Sequence, residues 1–127
     1  MPLCNFKVTF ALIKLMNKIR KIIAYKNYFE DFLSTQKLKV REKIAWTFLL
    51  IEEIKQVPET YLKHIEGTDG LYEIRIQLGN DIFRIFSFFD EGKLVVLANG
   101  FQKKTQKTPK GEIVKALKIM EEYYESK

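Results

Sequence analysis

Residues 71–86 read LYEIRIQLGNDIFRIF, and they contain the clearest structural signal in the chain. Apolar and polar side chains alternate before the glycine, which is typical of a strand with one buried face. Gly79-Asn80 is a two-residue hairpin signal, and a second apolar segment begins directly after it. We therefore predict an antiparallel hairpin in which Leu78 lies opposite Asp81.

Counting back from this turn brings two arginines, Arg75 and Arg84, face to face on neighbouring strands. Like charges in directly opposed positions destabilise a ladder, so another group must compensate them. One candidate is Glu73, one step away on the same face of its strand. The other is a bound phosphate held by two guanidinium forks. The hairpin alone favours neither.

A third strand follows the hairpin. The second strand of the hairpin, residues 82–89, is apolar on both sides apart from one arginine and one serine, as in a strand covered on both faces. A turn at residues 90–92 returns the chain as residues 94–98. Loops of two residues and of three with a glycine bulge both fit this turn, and a one-residue slip moves every later side chain to the opposite face. The face that carries Lys103 is therefore left open.

Residues 99–110 read NGFQKKTQKTPK and contain no acidic residue. The lysines among them are Lys103, Lys104, Lys107 and Lys110. Because these charges repel one another, a polyanion such as phosphate between them is the simplest explanation, although lysine-rich loops are more often solvated linkers. Phe101 adds weight to the first explanation, since a cation beside an exposed ring is a pairing used to hold bases.

Helices are predicted on both sides of these strands. Asn27 is a suitable N-cap for a short helix ending near Gln36, and a longer amphipathic helix is expected over about residues 39–56. The two should form an antiparallel hairpin that covers one face of the sheet. Thr108 is expected to be the N-cap of a final helix, with Pro109 at its first position.

Two further segments complete the expected fold. Residues 19–25 have the β-branched content of a strand. Trp46, Leu50 and Ile54 widen the apolar face of the longer helix, and we expect a packing role for them rather than a binding role. The predicted fold class is α+β, with a small antiparallel sheet, an N-terminal helical hairpin on one face and a C-terminal helix.

Composition limits the possible functions. The chain has 127 residues and a formal net charge of +6, which favours a polyanionic partner. One cysteine, Cys4, and one histidine, His64, exclude an internal disulfide and the usual zinc sites, so we expect a reducing, cytoplasmic setting with no cofactor or metal. No stretch approaches the ~20 apolar residues that span a bilayer, and no membrane association is expected.

The beginning of the chain permits two interpretations. Residues 1–15 are expected to be an extension outside the fold, with residues 16–127 as a single domain. The alternative is an additional edge strand built from Phe6, Val8 and Phe10, which alternate as a strand requires.

Three segments resemble a known family. They are GLYEIR at residues 70–75, FRIF at residues 83–86 and GFQKKTQKTP at residues 100–109. In this order they resemble the phage-derived, HigB-like branch of the RelE/ParE superfamily, the toxins of type II toxin-antitoxin systems. The resemblance extends from about residue 19 to the end of the chain, and the last segment is the most specific.

The resemblance implies a RelE-like fold, an antitoxin partner that is often a helix-turn-helix protein, and cleavage of messenger RNA on the ribosome. It assigns the family's basic positions as follows: Arg75 and Arg84 in the sheet, and Lys103, Lys104 and Lys107 with Phe101 after it. Some relatives use a histidine or tyrosine as the base near the end of the last strand. Here that region offers lysines and glutamines, Tyr123 and Tyr124 lie far along the final helix, and His64 is expected to be a surface or packing residue.

We therefore expect a ribosome-dependent mRNA endonuclease that uses attack by the RNA 2′-hydroxyl and no metal. The expected catalytic residues are Arg75, Arg84, Lys103 and Lys104, and the expected RNA-binding residues are Phe101, Lys107 and Lys110. One alternative is a non-enzymatic, ParE-like inhibitor of DNA gyrase. Another is a passive RNA- or ribosome-binding module that uses the same basic surface.

Overall fold

The computed structural model describes residues 18–105 and 107–127. The elements, in chain order, are β1 (Lys21–Ala24), α1 (Tyr28–Ser34), α2 (Leu38–Glu53), β2 (Leu62–His64), β3 (Leu71–Leu78), β4 (Asp81–Asp90), β5 (Leu94–Lys103) and α3 (Lys110–Glu125). The predicted extension at residues 1–15 lies outside the described part of the chain.

The strands form one sheet in the order β1-β5-β4-β3-β2. The predicted α+β class, the helical pair on one face and the C-terminal helix are confirmed. The predicted antiparallel pairing is confirmed for β2 to β5, but the sheet as a whole is mixed, because β1 runs parallel to β5. The chain between them is long and includes two helices, which allows a parallel neighbour. Strand β2 was not predicted, since three residues with two polar side chains give no readable alternation.

The register of the β3-β4 hairpin is as predicted. Leu78 pairs with Asp81 and Arg75 with Arg84. Gly79 has a φ of +62°, which glycine adopts without steric cost in a tight turn. Strand β4 lies in the interior of the sheet, between β5 and β3. This agrees with its apolar side chains on both faces.

Strand β5 is longer than predicted and contains the feature that positions the site. Asp90 pairs with Leu94, so the turn has three residues. Further along, Ile85 pairs with Gly100 but Ser87 pairs with Leu97, so one residue of β4 is opposed by two of β5. This is a β-bulge, and it exchanges the two faces of β5 for every residue beyond it.

Two hydrophobic clusters lie on opposite faces of the sheet. On one face, Phe29 and Phe32 of α1 and Ile44 and Ile51 of α2 pack on strand residues such as Ile85. On the other face, Ala116 and Ile119 of α3 pack on Leu71, Phe86 and Phe88. Both faces of the central strands are therefore covered, one by α1 and α2 and the other by α3.

The helix ends differ from the predicted ones by a few residues. Asn27 is at the N-cap of α1 but its side chain makes no capping hydrogen bond. Pro109, rather than Thr108, occupies the N-cap of α3. Helix α2 ends at Glu53, where the Arg20 guanidinium donates to the carbonyls of Ile51 at 3.1 Å and Ile54 at 2.7 Å. An arginine on the preceding segment thus caps the helix in place of a local residue.

Two of the three residues expected to pack along the apolar face of α2 are exposed, while Leu50 is half-buried. Trp46 is 47% exposed and Ile54 is 41% exposed. The buried stripe of α2 consists of Val40, Ile44, Thr47 and Ile51, and Trp46 lies outside this stripe. The core therefore does not explain why a tryptophan occupies this position.

Candidate functional site

Arg75 and Arg84 share one carboxylate on the face of the sheet that also carries α3. Each Nε approaches the same oxygen, Oε1 of Glu73, at 3.3 Å from Arg75 and 3.7 Å from Arg84. Neither Nε has a hydrogen-bond acceptor among the described residues. Glu73 therefore lowers the repulsion between the arginines through charge, but leaves both Nε–H groups without a hydrogen bond.

Arg84 is the more unusual of the two, because its side chain is only 7% exposed. Within the described part of the chain it makes one hydrogen bond, from Nη1 to the carbonyl of Phe83 at 3.1 Å. Burial lowers the pKa of Arg84, Glu73 raises it and Arg75 lowers it again. Arginine stays protonated even so. A buried guanidinium with unused donors is costly, and an acceptor such as a phosphate oxygen would reduce that cost.

Lys103 joins these two arginines because of the bulge in β5. Beyond the bulge, Phe101 pairs with Arg84 and Lys103 pairs with Ile82. Paired residues share a face, and so do alternate residues of one strand. Phe101 and Lys103 are therefore on the face of Arg84, which the sequence had left open.

The surroundings of Lys103 change its proton affinity. Burial lowers the pKa of Lys103, as do the charges of Arg84 and Arg75, while Glu73 opposes them. A lowered pKa brings the ammonium group closer to releasing its proton at working pH. Arg75, Arg84, Lys103 and Glu73, here called the basic cluster, together carry three positive charges and one negative charge.

A cleft of about 500 Å³ opens beside the basic cluster. Arg75 and Arg84 line it, together with Lys43 from α2, Gln77 from β3 and Tyr61. The cleft lies at the edge of β3 where β2 no longer pairs with it. The same two guanidinium groups can therefore contact a phosphate at the cluster and another part of the same ligand in the cleft.

The remaining predicted binding residues lie around the end of β5. Lys104, Lys107 and Lys110 are exposed. Phe101 is half-buried and stacks on Phe86, with ring centroids 5.5 Å apart and an interplanar angle of 28°. The Phe101 ring is thus less exposed than predicted and belongs in part to the core.

His64 and Tyr123, the histidine and one of the tyrosines weighed as possible bases, do not lie near the basic cluster. His64 pairs with Tyr72 on β3, three positions from Arg75, which is roughly 10 Å along a strand. Tyr123 donates to Oδ2 of Asp90 at 2.6 Å, at the other end of β4 from Arg84. Both side chains are engaged in packing and in tying elements together.

Two observations concern metals and membranes. Among residues 18–105 and 107–127, no group of three or more His, Cys, Asp or Glu side chains is arranged to hold a metal ion. Within the same ranges, no helix combines the length and the apolar character needed to cross a bilayer.

Sequence reasoning missed the cleft and the residues that line it. Tyr61 precedes a strand that was not predicted, and Lys43 lies outside the buried stripe of α2. No local sequence pattern links either residue to Arg75. They line the same cleft only because of how the helical pair lies on the sheet. The one available signal was Trp46, an aromatic residue at the margin of the apolar stripe of α2.

Comparison with known families gives one match. Residues 31–121 match the family described as phage-derived protein Gp49-like (DUF891). No curated protein matches the chain closely enough to provide a named relative. The family match covers the second half of α1, all of α2, all of β2 to β5 and most of α3. The chain therefore belongs to the phage-derived Gp49-like family, a toxin-like family related to the RelE and HigB toxins.

Proposed function

We propose that the protein is the toxin of a type II toxin-antitoxin pair and that it cleaves messenger RNA on the ribosome. The observation that carries this proposal is Arg84, a buried guanidinium that faces Arg75 and has unused donors. A phosphodiester is the anion that fits two opposed guanidinium groups best, since each can donate two parallel hydrogen bonds to it.

The charge of the basic cluster rises together with the charge of the reacting phosphate. With Lys103 neutral as the base, the two arginines against Glu73 leave a surplus of one positive charge, and the proton that Lys103 takes from the 2′-hydroxyl raises this surplus to two. A phosphodiester carries one negative charge, and the pentacovalent phosphate formed during attack approaches two. Fixed cations aimed at charge that develops during the reaction are the largest source of catalysis in many enzymes.

The chemistry we propose begins at the ribose. The 2′-oxygen attacks the adjacent phosphorus as Lys103 takes the hydroxyl proton, and the bond from phosphorus to the 5′-oxygen breaks. That oxygen leaves as a 5′-hydroxyl after taking a proton from water. The products are a 2′,3′-cyclic phosphate and a 5′-hydroxyl end. Lys103 is the proposed base because its pKa is lowered and it lies on the face of Arg84.

The residues at the cluster favour this route over a two-metal mechanism. Two-metal sites are built from several carboxylates around the scissile phosphate. Glu73 is the acid paired with the arginines here, and it is shared by both of them. A metal ion would also be repelled by the neighbouring cations.

Lys104, Lys107 and Lys110 have a different proposed role. They are exposed along the segment that leaves β5, so we assign them to the RNA backbone on either side of the cut. Lys104 was expected to be catalytic, and its exposure favours backbone contact. Phe101 is proposed to contact the RNA through the part of its ring that is not stacked on Phe86.

The proposed partner is an antitoxin protein. A basic cluster that cleaves messages must be covered or distorted in the cell that makes it, and an acidic segment is the natural complement to the surface around Lys104. Co-expression from the native operon followed by purification tests this point. Recovery of the chain alone, without harm to the cells, would count against a toxin.

The function is tested by induced expression followed by mapping of the 5′ ends of cellular messages. We expect new ends within coding regions, spaced by whole codons, in cells with the wild-type protein and not in cells with Arg84→Met. Intact messages together with DNA damage would instead support the gyrase inhibitor. Growth arrest with intact messages and intact DNA would support passive ribosome binding.

A further inference from the structure

The cleft beside the basic cluster has the size and the walls of a binding site for one nucleotide. Its volume is about 500 Å³, within the range of small-molecule sites. Arg75 and Arg84 form part of its wall, so a ligand in the cleft is in reach of both guanidinium groups. The proposed RNA substrate needs such a place for the nucleotide next to the cut.

Tyr61 is held firmly relative to the arginines. Its carbonyl accepts a hydrogen bond from the backbone N–H of Arg75 at 2.8 Å, and its own N–H donates to the carbonyl of Pro58 at 2.9 Å. These bonds fix the backbone on both sides of the residue. The Tyr61 ring is half-buried and lines the cleft. It therefore presents a fixed aromatic surface to the ligand.

Trp46 and Lys43 support this surface from α2. The Trp46 ring meets the Tyr61 ring at a centroid distance of 5.7 Å and an angle of 68°. The Lys43 ammonium lies 4.4 Å from the centre of the Trp46 ring. An edge-to-face contact and a cation over the ring each favour a defined orientation. This accounts for an exposed tryptophan that the core does not use.

We infer that this cleft binds the nucleotide adjoining the scissile phosphate, with its base stacked on Tyr61 and its backbone phosphate near Lys43. The inference rests on the proposed function for the identity of the ligand. Gln77 lines the same cleft, and its side-chain amide has both a donor and an acceptor for the edge of a base. Tyr61 and Gln77 would then determine which nucleotide is accepted beside the cut.

The test uses trinucleotides with 2′-O-methyl riboses, which bind but cannot be cleaved by the proposed route. Trp46 is the only tryptophan of the chain, so a change in its fluorescence on binding reports occupation of the cleft. The affinity is measured separately, from the anisotropy of an end-labelled trinucleotide. We expect saturable binding with a change in Trp46 emission.

Three variants locate the stacking surface. Tyr61→Leu should weaken binding about 5- to 100-fold, which is the usual loss for one stacked base. Tyr61→Phe keeps the ring and should bind within about twofold of the wild type. Tyr124→Leu is the matched control, because Tyr124 is also partly exposed but lies at the far end of α3, and it should leave the affinity unchanged.

The outcomes separate this inference from the proposed function. Equal affinity of Tyr61→Leu and wild type overturns the inference, as does the absence of trinucleotide binding to the wild type. If messages are nevertheless cut in cells, the proposed function stands without the cleft. If Tyr61-dependent binding is found but messages stay intact, the cleft stands and the proposed cleavage is wrong.

Discussion

Arg75 and Arg84 lie directly opposite each other on β3 and β4, and a single oxygen of Glu73 lies within 3.7 Å of both Nε atoms. One carboxylate oxygen thus serves two guanidinium groups and satisfies the hydrogen bonding of neither Nε. Such a pair is costly in the free protein, because one of its members is almost fully buried. A second anion between the arginines would remove both the repulsion and the unused donors.

The first prediction concerns Arg84. Arg84→Met keeps the length of the side chain and removes one of two opposed charges, while Glu73 retains Arg75 as a partner. The free energy of unfolding should stay within about 1 kcal/mol of the wild-type value, and cleavage of messages should fall at least 100-fold, as for loss of one transition-state donor. Chemical denaturation and 5′-end mapping measure the two effects.

Arg20→Met is the matched control for this prediction. Arg20 caps α2 through backbone carbonyls and has no contact with the basic cluster. Its loss should lower the free energy of unfolding by about 1–2 kcal/mol and leave the positions of cleavage unchanged. A loss of stability in Arg84→Met that is clearly larger than the loss in Arg20→Met would identify Arg84 as a structural residue.

The second prediction concerns pH and Lys103. A base must lose its proton before it acts, so the rate of cleavage should rise with pH up to the pKa of Lys103 and then level off. Because burial and the arginines lower this pKa from the ordinary value of 10.5, the rise should end below pH 10.5. Lys103→Arg keeps the charge but cannot lose a proton, and should cost about 100-fold or more in rate with RNA affinity retained.

This pH prediction is checked in single-turnover assays with saturating protein, which separate the chemical step from binding. An unchanged rate in Lys103→Arg would remove Lys103 as the base and leave it as a source of positive charge alone. A rate that is independent of pH in the wild type would have the same meaning.

The third prediction concerns the exposed lysines after the bulge. Each phosphate contact that is lost should reduce the dependence of log affinity on log salt concentration by about 0.7 for single-stranded RNA. We expect this change for Lys104→Ala and again for Lys107→Ala. Lys118 is also exposed and lies on α3, so Lys118→Ala should have no effect on the slope. Identical slopes for all three variants would exclude Lys104 and Lys107 from the RNA contact surface.

The fourth prediction concerns Gly100, which is part of the segment that resembles the toxin family. A Cβ atom at this position would lie 2.6 Å from Cδ2 of Phe32, so Gly100→Ala forces the Phe32 ring out of its position against the sheet. We expect a loss of about 1–3 kcal/mol in the free energy of unfolding. In the Gly100→Ala background, Phe32→Leu should cost less than it does in the wild type, which a double-mutant cycle measures.

Gly111→Ala is the control, since a Cβ atom there meets no atom within 4 Å and the residue lies in the first turn of α3. It should leave stability unchanged or raise it slightly. A loss in Gly100→Ala no larger than in Gly111→Ala would mean that the contact with Phe32 relaxes without cost.

The opposition of Arg75 and Arg84 was readable from the sequence because a two-residue turn fixes the count along both strands. The position of Lys103 was not, because it depends on a bulge in the middle of β5, and the sequence around Asn99 gives no sign of an extra residue. Asn99 donates from Nδ2 to Oε2 of Glu112 at 2.9 Å, so a tertiary contact with α3 accompanies the bulge. The cleft at Tyr61 was likewise hidden, since its walls come from segments that are distant in sequence.

The central claim is that the basic cluster cuts RNA by attack of the 2′-hydroxyl on the phosphate held between the arginines. The direct test programs ribosomes with a message that has a single mapped cut site and replaces the 2′-hydroxyl at that site by hydrogen. The account predicts that the unmodified message yields a 2′,3′-cyclic phosphate and a 5′-hydroxyl, and that the deoxy message stays intact at that position. Cleavage of the deoxy message at the same bond would contradict it.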